Sequence, residues 1–208
     1  MKVQLSQVGK RFKYEWIFRG VDAEFQSGNS YAIQGPNGSG KSTLLKILSG
    51  HLSPSKGKIS FYQDGQPIEI NQVYQSISYA APYIDLIEDF TLREAIHFHQ
   101  KFKPLLDGLS TQDLIQILAF EKSVHKAVKY FSSGMKQRLK LVLALCSRAT
   151  IVLLDEPGTN LDSQGIEWYR GLIERFHQER LLIIASNVPA DFDFCDQQLN
   201  ILDYKKKR

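Results

Sequence analysis

The sequence predicts an α/β fold with a mostly parallel sheet, antiparallel strands near the N-terminus and an inserted α-helical subdomain. Residues 151–154 and 181–184 are runs of four apolar residues, which are typical of strands buried on both faces of a parallel sheet. Residues 1–34 alternate short apolar segments with turn residues, as antiparallel strands do. From Thr91 to about Tyr130 the apolar residues follow a helical spacing instead. These patterns indicate a core with a parallel sheet, to which antiparallel N-terminal strands and a helical subdomain are added.

Individual elements are predicted from apolar spacing and from the residues that bound them. Gly50 is a natural residue to follow a helix C-terminus, and Asp64-Gly65 is a typical hairpin turn. The expected elements are a strand over 30–34, a helix over about 42–49, strands over 58–62 and 76–80, a helix over 166–178, and the two buried strands already named.

Pro104 and Asp107-Gly108 together form one break in the helical region, which predicts a helical piece on each side of it. We expect a single domain over residues 1–208. Its core lobe is expected to cover about 1–84 and 147–208, and its helical lobe about 85–146.

The composition is that of an ordinary globular protein, with 43% apolar and 23% charged residues. The formal net charge of +4 is too small to indicate binding to nucleic acid, and no nucleic-acid partner is expected. Residues 205–208 form a basic tail, for which a solvated terminus is favoured over contact with an anionic lipid surface.

The cysteine count and the apolar runs restrict the setting of the chain. Cys146 and Cys195 lack CxxC spacing, so neither a disulfide framework nor a zinc site is expected, and a reducing cytosol is the natural compartment. Cys146 lies in an apolar run and is predicted to be a core residue. The apolar runs are far shorter than the ~20 residues of a membrane helix, so we expect no membrane crossing.

The strongest local pattern is a phosphate-binding loop that matches G-x-x-x-x-G-K-[ST] between a predicted strand and a predicted helix. Its glycines let backbone N–H groups surround an anion, and the helix N-terminus adds partial positive charge. Lys41 is predicted to bind the β- and γ-phosphates, and Ser42 is predicted to ligate Mg²⁺. The predicted nucleotide-binding residues of this loop are Gly35, Pro36, Asn37, Gly38, Ser39, Gly40, Lys41, Ser42 and Thr43.

Two carboxylates, Asp155 and Glu156, follow the buried strand at 151–154. Parallel sheets place ligands at the C-terminal ends of their strands. Asp155 is therefore a candidate Mg²⁺ ligand, and Glu156 a candidate catalytic residue that polarises the attacking water. Taken alone, a strand that ends in solvated acids would explain the pair equally well.

With these motifs in place, the chain resembles the ABC-transporter ATPase family over essentially its whole length. The family signature L-S-G-G-Q-x-x-R appears as residues 131–138, where Ser132 and Gly134 would contact ATP held by the other subunit. An N-capped helix start would also explain these serines. Asp162 matches the residue that family dimers use across their interface, and Phe12 lies where the family stacks an aromatic on adenine.

The assignment of Phe12 has two competitors, Tyr14 and Trp16, and packing along an edge strand would account for all three aromatics. The resemblance implies two domains arranged head to tail, with two Mg-ATP molecules between them. The second ATP-binding subunit is expected to be an identical copy, although a paralogue would also serve. A separate transmembrane permease subunit is implied, with this chain in the cytoplasm at the inner face of the membrane.

An ATPase subunit of an exporter is the favoured function. The alternatives are a nucleotide-gated signalling module with slow hydrolysis and a soluble ABC ATPase. Two departures from the family bear on this choice: Pro82 stands where the family has glutamine, with Asp85 nearby, and Asn187 stands where it has a histidine. Asn187 can donate a hydrogen bond to the γ-phosphate but cannot carry a proton or a positive charge. We therefore expect intact ATP binding and slow turnover.

Overall fold

The computed structural model describes residues 1–205, and most of the predicted basic tail, residues 206–208, lies outside the described residues. Two β-sheets organise this part of the chain. The strands are β1 (Lys2–Phe12), β2 (Glu15–Gln26), β3 (Ser30–Gln34), β4 (Lys56–Gln63), β5 (Gln66–Ile68), β6 (Ile77–Ala80), β7 (Ile151–Asp155), β8 (Leu181–Ser186) and β9 (Gln197–Asn200). The α-helices are α1 (Lys41–Leu48), α2 (Leu92–Phe102), α3 (Thr111–Leu118), α4 (Ser133–Leu145) and α5 (Ser163–Phe176).

The larger sheet has the strand order β6-β7-β8-β3-β9, and all of its neighbouring strands run parallel. Alternate residues of β7 and β8 face two different apolar clusters. Val152 and Ile184 pack in one cluster with α2 to α5, while Leu153 and Ile183 pack in the other with α1 and the second sheet. Burial on both faces explains why these strands are apolar at every position, and it confirms the predicted parallel core.

The smaller sheet is antiparallel, with the order β2-β1-β4-β5. Phe18, Phe25 and Phe61 point from it into the cluster that it shares with α1. The predicted turn at Asp64-Gly65 joins β4 to β5, and both of its residues have positive φ, 51° and 80°, as a two-residue hairpin loop requires. The prediction of antiparallel N-terminal strands is therefore confirmed.

Side-chain caps mark the starts of α2, α3 and α5. Thr91 with Glu94 caps α2, and Ser110 with Asp113 caps α3, each pair forming a reciprocal capping box. The helix predicted over 166–178 begins three residues earlier, because the Asp162 carboxylate accepts the Gly165 N–H and caps α5.

The division into two lobes at about residues 85 and 146 stays a prediction, because one apolar cluster joins α2 to α5 with β7 and β8. Cys146 is fully buried, as predicted. Across residues 1–205, none of the helices combines the length and the apolar composition that a membrane crossing requires.

Candidate active site

Four segments meet at one edge of the parallel sheet because β6, β7, β8 and β3 are successive neighbours that end there. The loop over 35–40 follows β3, the acidic pair ends β7, Asn187 follows β8, and residues 81–83 follow β6. The sheet thus brings together the predicted phosphate loop and the two predicted carboxylates, which lie 112 or more positions apart in the sequence.

The phosphate loop has a backbone that glycine alone adopts easily. Gly40 has a φ of 110° and immediately precedes α1, and a Cβ there would lie 2.5 Å from Cγ2 of Ile17. At Gly35, where φ is 149°, a Cβ would lie 2.7 Å from the Ser39 hydroxyl oxygen. Because Gly40 brings no capping side chain to α1, the first N–H groups of that helix remain available to an anion.

The Lys41 ammonium group is buried, and neighbouring groups of the site balance its charge. Its Nζ donates to the Gly35 carbonyl oxygen at 2.9 Å and lies 3.0 Å from Glu156 Oε1. A buried ammonium must be paired, and Glu156 supplies the opposite charge. The predicted phosphate-binding cation and the predicted catalytic carboxylate are thus in direct contact.

Asp155 is buried with its two oxygens in different surroundings. The Tyr83 hydroxyl donates to Oδ2 at 3.0 Å, whereas Oδ1 has no hydrogen-bond partner among residues 1–205. Burial raises the pKa of Asp155, and the hydroxyls of Ser42 and Tyr83 oppose that rise. A buried carboxylate oxygen beside a serine hydroxyl fits a hard cation such as Mg²⁺, which Ser42 and Asp155 would hold.

Two tyrosines at this carboxylate were not predicted as site residues. Tyr79 lies 3.5 Å from Asp155 Oδ2, and its hydroxyl also contacts the hydroxyl of Tyr83. Burial raises the pKa of Tyr83 to about 12 and raises that of Tyr79 further, so both are neutral donors at neutral pH. Tyr83, the residue after Pro82, therefore contacts the carboxylate that is the candidate Mg²⁺ ligand. The backbone carbonyl of Pro82 instead accepts a hydrogen bond from Lys140 at 2.7 Å.

Glu156 is also connected to β8 through a second pair of residues that the sequence did not indicate. The Ser186 hydroxyl oxygen lies 3.1 Å from Glu156 Oε2 and 2.6 Å from Asp191 Oδ2. The Ser186 hydroxyl has one proton and can donate it to only one of the two carboxyl groups at a time. Burial raises the pKa of Asp191, the Glu156 charge acts in the same direction, and the Ser186 hydroxyl opposes them. Asp191 therefore keeps its proton to a higher pH than an exposed aspartate does.

The segment over 157–162 packs between this network and α4. A Cβ on Gly158 would lie 2.1 Å from Asp191 Oδ1, and the Gln137 amide donates to the Pro157 carbonyl at 2.8 Å. Asp162 is exposed and accepts the Gly165 N–H at 2.7 Å as the cap of α5. Its predicted role across a dimer interface stays a prediction.

The predicted signature residues form the start of α4. Ser132 accepts the Met135 N–H at 3.2 Å and so caps the helix, while a Cβ on Gly134 would lie 2.9 Å from the Asn160 carbonyl oxygen. Within residues 1–205, no hydrogen bond or ion pair joins Ser132 or Gly134 to the phosphate loop. Their contact with nucleotide on another subunit stays a prediction.

The three aromatic candidates for adenine stacking differ in how free their rings are. Phe12 is 49% exposed at the end of β1, and Tyr14 is 97% exposed in the following turn. The Trp16 ring has Arg19 4.2 Å from its centroid and Arg11 at 5.7 Å. Lys10 Nζ likewise lies 5.2 Å from the centroid of the Phe12 ring, so a neighbouring cation does not separate Phe12 from Trp16, and adenine stacking on Phe12 stays a prediction.

A glycine loop with a buried lysine, set between a parallel strand and a helix, defines a P-loop nucleotide-binding domain. Residues 18–159 match the ABC transporter family. The match covers more than half of the chain, and the chain belongs to that family.

Three similar proteins illustrate the relationship. The Nod factor export ATP-binding protein I of Burkholderia pseudomallei is 32% identical over 81% of this chain, which spans 57% of that relative's length. The lantibiotic transport ATP-binding protein SrtF of Streptococcus pyogenes is 29% identical over 89% of this chain and 79% of its own. The ATP-binding cassette MJ0796, solved as a dimer in a post-hydrolysis state with ADP and Pi, has a TM-score of 0.81 at 21% identity, covering 95% of this chain and 93% of that one.

The raised pKa of Asp191 leads to a prediction about stability. As pH rises above the ordinary value of 3.8, the unfolded chain loses the proton before the folded chain does, so Asp191 reduces folded-state stability through this window. Asp191→Asn removes this titration, and its amide can still donate to Ser186. The free energy of unfolding of the variant, relative to the original chain, should therefore increase from about pH 4 towards neutrality. Urea unfolding at several pH values measures this difference.

Asp203→Asn, at an exposed carboxylate, is the matched control and should give a flat difference over the same pH range. A flat difference for Asp191→Asn as well would contradict the raised pKa of Asp191.

Proposed function

We propose that this chain is the ATP-binding and ATP-hydrolysing subunit of an ABC transporter, favouring an exporter. It would close with a second ATP-binding subunit around two Mg-ATP molecules and drive a separate transmembrane partner from the cytoplasmic side. The observation that carries the proposal is the contact of Lys41 with Glu156, next to the buried Asp155, at the mouth of the phosphate loop. The export and transport functions named for the two sequence relatives support the choice of an exporter.

In this proposal each group has a separate task. The loop N–H groups and Lys41 bind the phosphates, and a γ-phosphate would compete with Glu156 for the ammonium group. Glu156, held by Ser186, would then accept a proton from the water that attacks the γ-phosphate. Ser42 and Asp155 would hold Mg²⁺, which when bound would neutralise charge on the β- and γ-phosphates.

Glu156→Gln tests the catalytic assignment. The amide keeps the shape of the side chain but cannot accept the proton, so ATP hydrolysis should fall about 100-fold or more. ATP binding should persist or tighten, because Lys41 loses a competing negative charge. ATP should also convert the variant into a stable dimer. Phosphate release, fluorescent-nucleotide binding and light scattering measure these three quantities.

Glu167→Gln on the exposed side of α5 is the matched control, and Lys41→Met should lose nucleotide binding. Full hydrolysis by Glu156→Gln would exclude Glu156 as the catalytic base.

The family departures lead us to propose slow turnover. Asn187 is exposed directly after β8, so its side chain is free to meet a phosphate but can only donate a neutral hydrogen bond. Asn187→His would supply a group able to bear positive charge, and a charged hydrogen bond in the transition state should raise the steady-state rate roughly tenfold.

The rate enhancement should appear with little change in nucleotide affinity, and adding Glu156→Gln should abolish it. An unchanged rate in Asn187→His would mean that this position does not limit turnover.

A groove beside α2 supports the proposed membrane partner. It has a volume of about 350 Å³ and runs from the end of β6 to α2 and α4, and Asp85, Lys103 and Lys140 are among its lining residues. Phe90, Phe98 and Phe102 stack edge to face along it at centroid distances of 5.3 and 5.0 Å, and Phe102 is 73% exposed. An apolar groove of this kind suits a short amphipathic helix of a partner protein.

Phe102→Asp should therefore abolish co-purification of a stoichiometric multi-span protein with the tagged chain from detergent-solubilised native membranes. Nucleotide binding should be unchanged, since Phe102 does not touch the phosphate loop. Ile70→Asp, at an exposed apolar residue outside the groove, is the control and should retain the partner. Recovery of the original chain from the soluble fraction alone would favour a soluble ABC ATPase.

The second candidate function is a nucleotide-gated signalling module, in which ATP binding changes shape and hydrolysis acts as a slow reset. The replacement of the family's glutamine and histidine by Pro82 and Asn187 favours it. A hydrolysis rate that remains low even when the partner is bound would support this alternative over active transport.

A further inference from the structure

We propose that Tyr83, supported by Tyr79, is a positioning residue for the metal-binding carboxylate Asp155, and that it links this carboxylate to the apolar groove. The inference rests on the proposed function for its Mg-nucleotide site and its groove. It concerns residues that the sequence patterns did not assign to either.

The two carboxylate oxygens of Asp155 have different contacts: Oδ2 accepts hydrogen bonds from tyrosine, and Oδ1 has no partner among residues 1–205. Tyr83 donates to Oδ2 at 3.0 Å, and Tyr79 at 3.5 Å is better placed to donate to the neighbouring Tyr83 hydroxyl oxygen. A chain from Tyr79 to Tyr83 to Oδ2 uses each phenolic proton once. With Oδ2 engaged, the carboxylate plane is fixed and Oδ1 is the oxygen presented to a cation.

Tyr83 is held in this position from two sides. The ammonium group of Lys46, in α1, lies 4.5 Å from the centroid of the Tyr83 ring, which is a cation–π contact with the helix that follows the phosphate loop. On the other side, Lys140 of α4 donates to the Pro82 carbonyl at 2.7 Å. The tyrosine is thus connected to the phosphate-loop helix and to the helix that begins with the signature residues.

The same segment forms one wall of the groove. Ile84, Asp85 and Ile87 line the groove immediately after Tyr83, and Tyr79 and Lys140 line it as well. Any occupant of the groove therefore contacts residues next to Tyr83 in sequence and in space. Displacement of this segment would change the Tyr83 hydrogen bond and, through it, the orientation of the oxygen offered to Mg²⁺.

Tyr83→Phe tests the positioning role, because it removes one hydroxyl from a half-exposed ring and leaves the ring in place. The apparent Kd for Mg²⁺, measured with a fluorescent ATP analogue at fixed concentration, should rise roughly tenfold, the effect of one hydrogen bond to a charged group. Binding of the same analogue in EDTA should change less than twofold. Tyr79→Phe should show a smaller change in the same direction.

Tyr74→Phe, at an exposed tyrosine away from the carboxylate, is the matched control and should leave both affinities unchanged. An unaltered or tighter Mg²⁺ affinity in Tyr83→Phe, with the original chain binding Mg-nucleotide normally, would overturn the inference alone. Failure of the original chain to bind the nucleotide would instead overturn the proposed function.

The connection to the groove is tested with Lys140→Met, which removes the donor to the Pro82 carbonyl and lies outside the nucleotide site. This variant should weaken Mg²⁺ binding severalfold, and its effect should largely disappear when Tyr83→Phe is already present, since both changes act through one hydrogen bond. Independent, multiplicative effects on the Kd, or no effect of Lys140→Met, would show that the groove wall does not act through Tyr83.

Discussion

The contact between Lys41 and Glu156 is the interaction on which the arrangement of the site depends. An ammonium group that is 4% exposed requires an opposite charge nearby, and Glu156, directly after β7, supplies it. Lys41 in turn donates to the carbonyl of Gly35, so one side chain fixes the loop to the acidic strand end. Around this pair, Ser186 orders Glu156 on one side and Tyr83 orders Asp155 on the other.

The sheet could be predicted from the sequence because its strands are buried on both faces. Residues 151–154 and 181–184 are apolar at each position, which leaves no solvent-facing side and excludes an exposed antiparallel arrangement. The phosphate loop was equally predictable, since its strand, glycines, lysine and helix are local in sequence. Even the hairpin at Asp64-Gly65 followed from residue type, because both positions need positive φ.

The residues that the sequence did not reveal are those whose roles depend on strand order. Tyr79 and Tyr83 lie at the end of β6, and they reach Asp155 only because β6 is the neighbour of β7. Ser186, which also contacts Asp191, meets Glu156 because β8 adjoins β7 on its other side. Neither adjacency follows from apolar spacing. Hydroxyl and carboxyl side chains are common near the ends of parallel strands, so residue type alone does not distinguish these four from others there.

The same geometry separates nucleotide capture from turnover. The groups proposed to bind the phosphates belong to one continuous segment, from β3 through the loop into α1, and its shape is set by local backbone conformation. The groups proposed for turnover come from the ends of β6, β7 and β8, which meet helices α4 and α5 and the groove. Pro82 and Asn187 both belong to the segments that carry the groups proposed for turnover. A partner bound in the groove would therefore act on turnover far more than on capture, because it contacts the segment that carries Tyr83 and leaves the phosphate loop untouched.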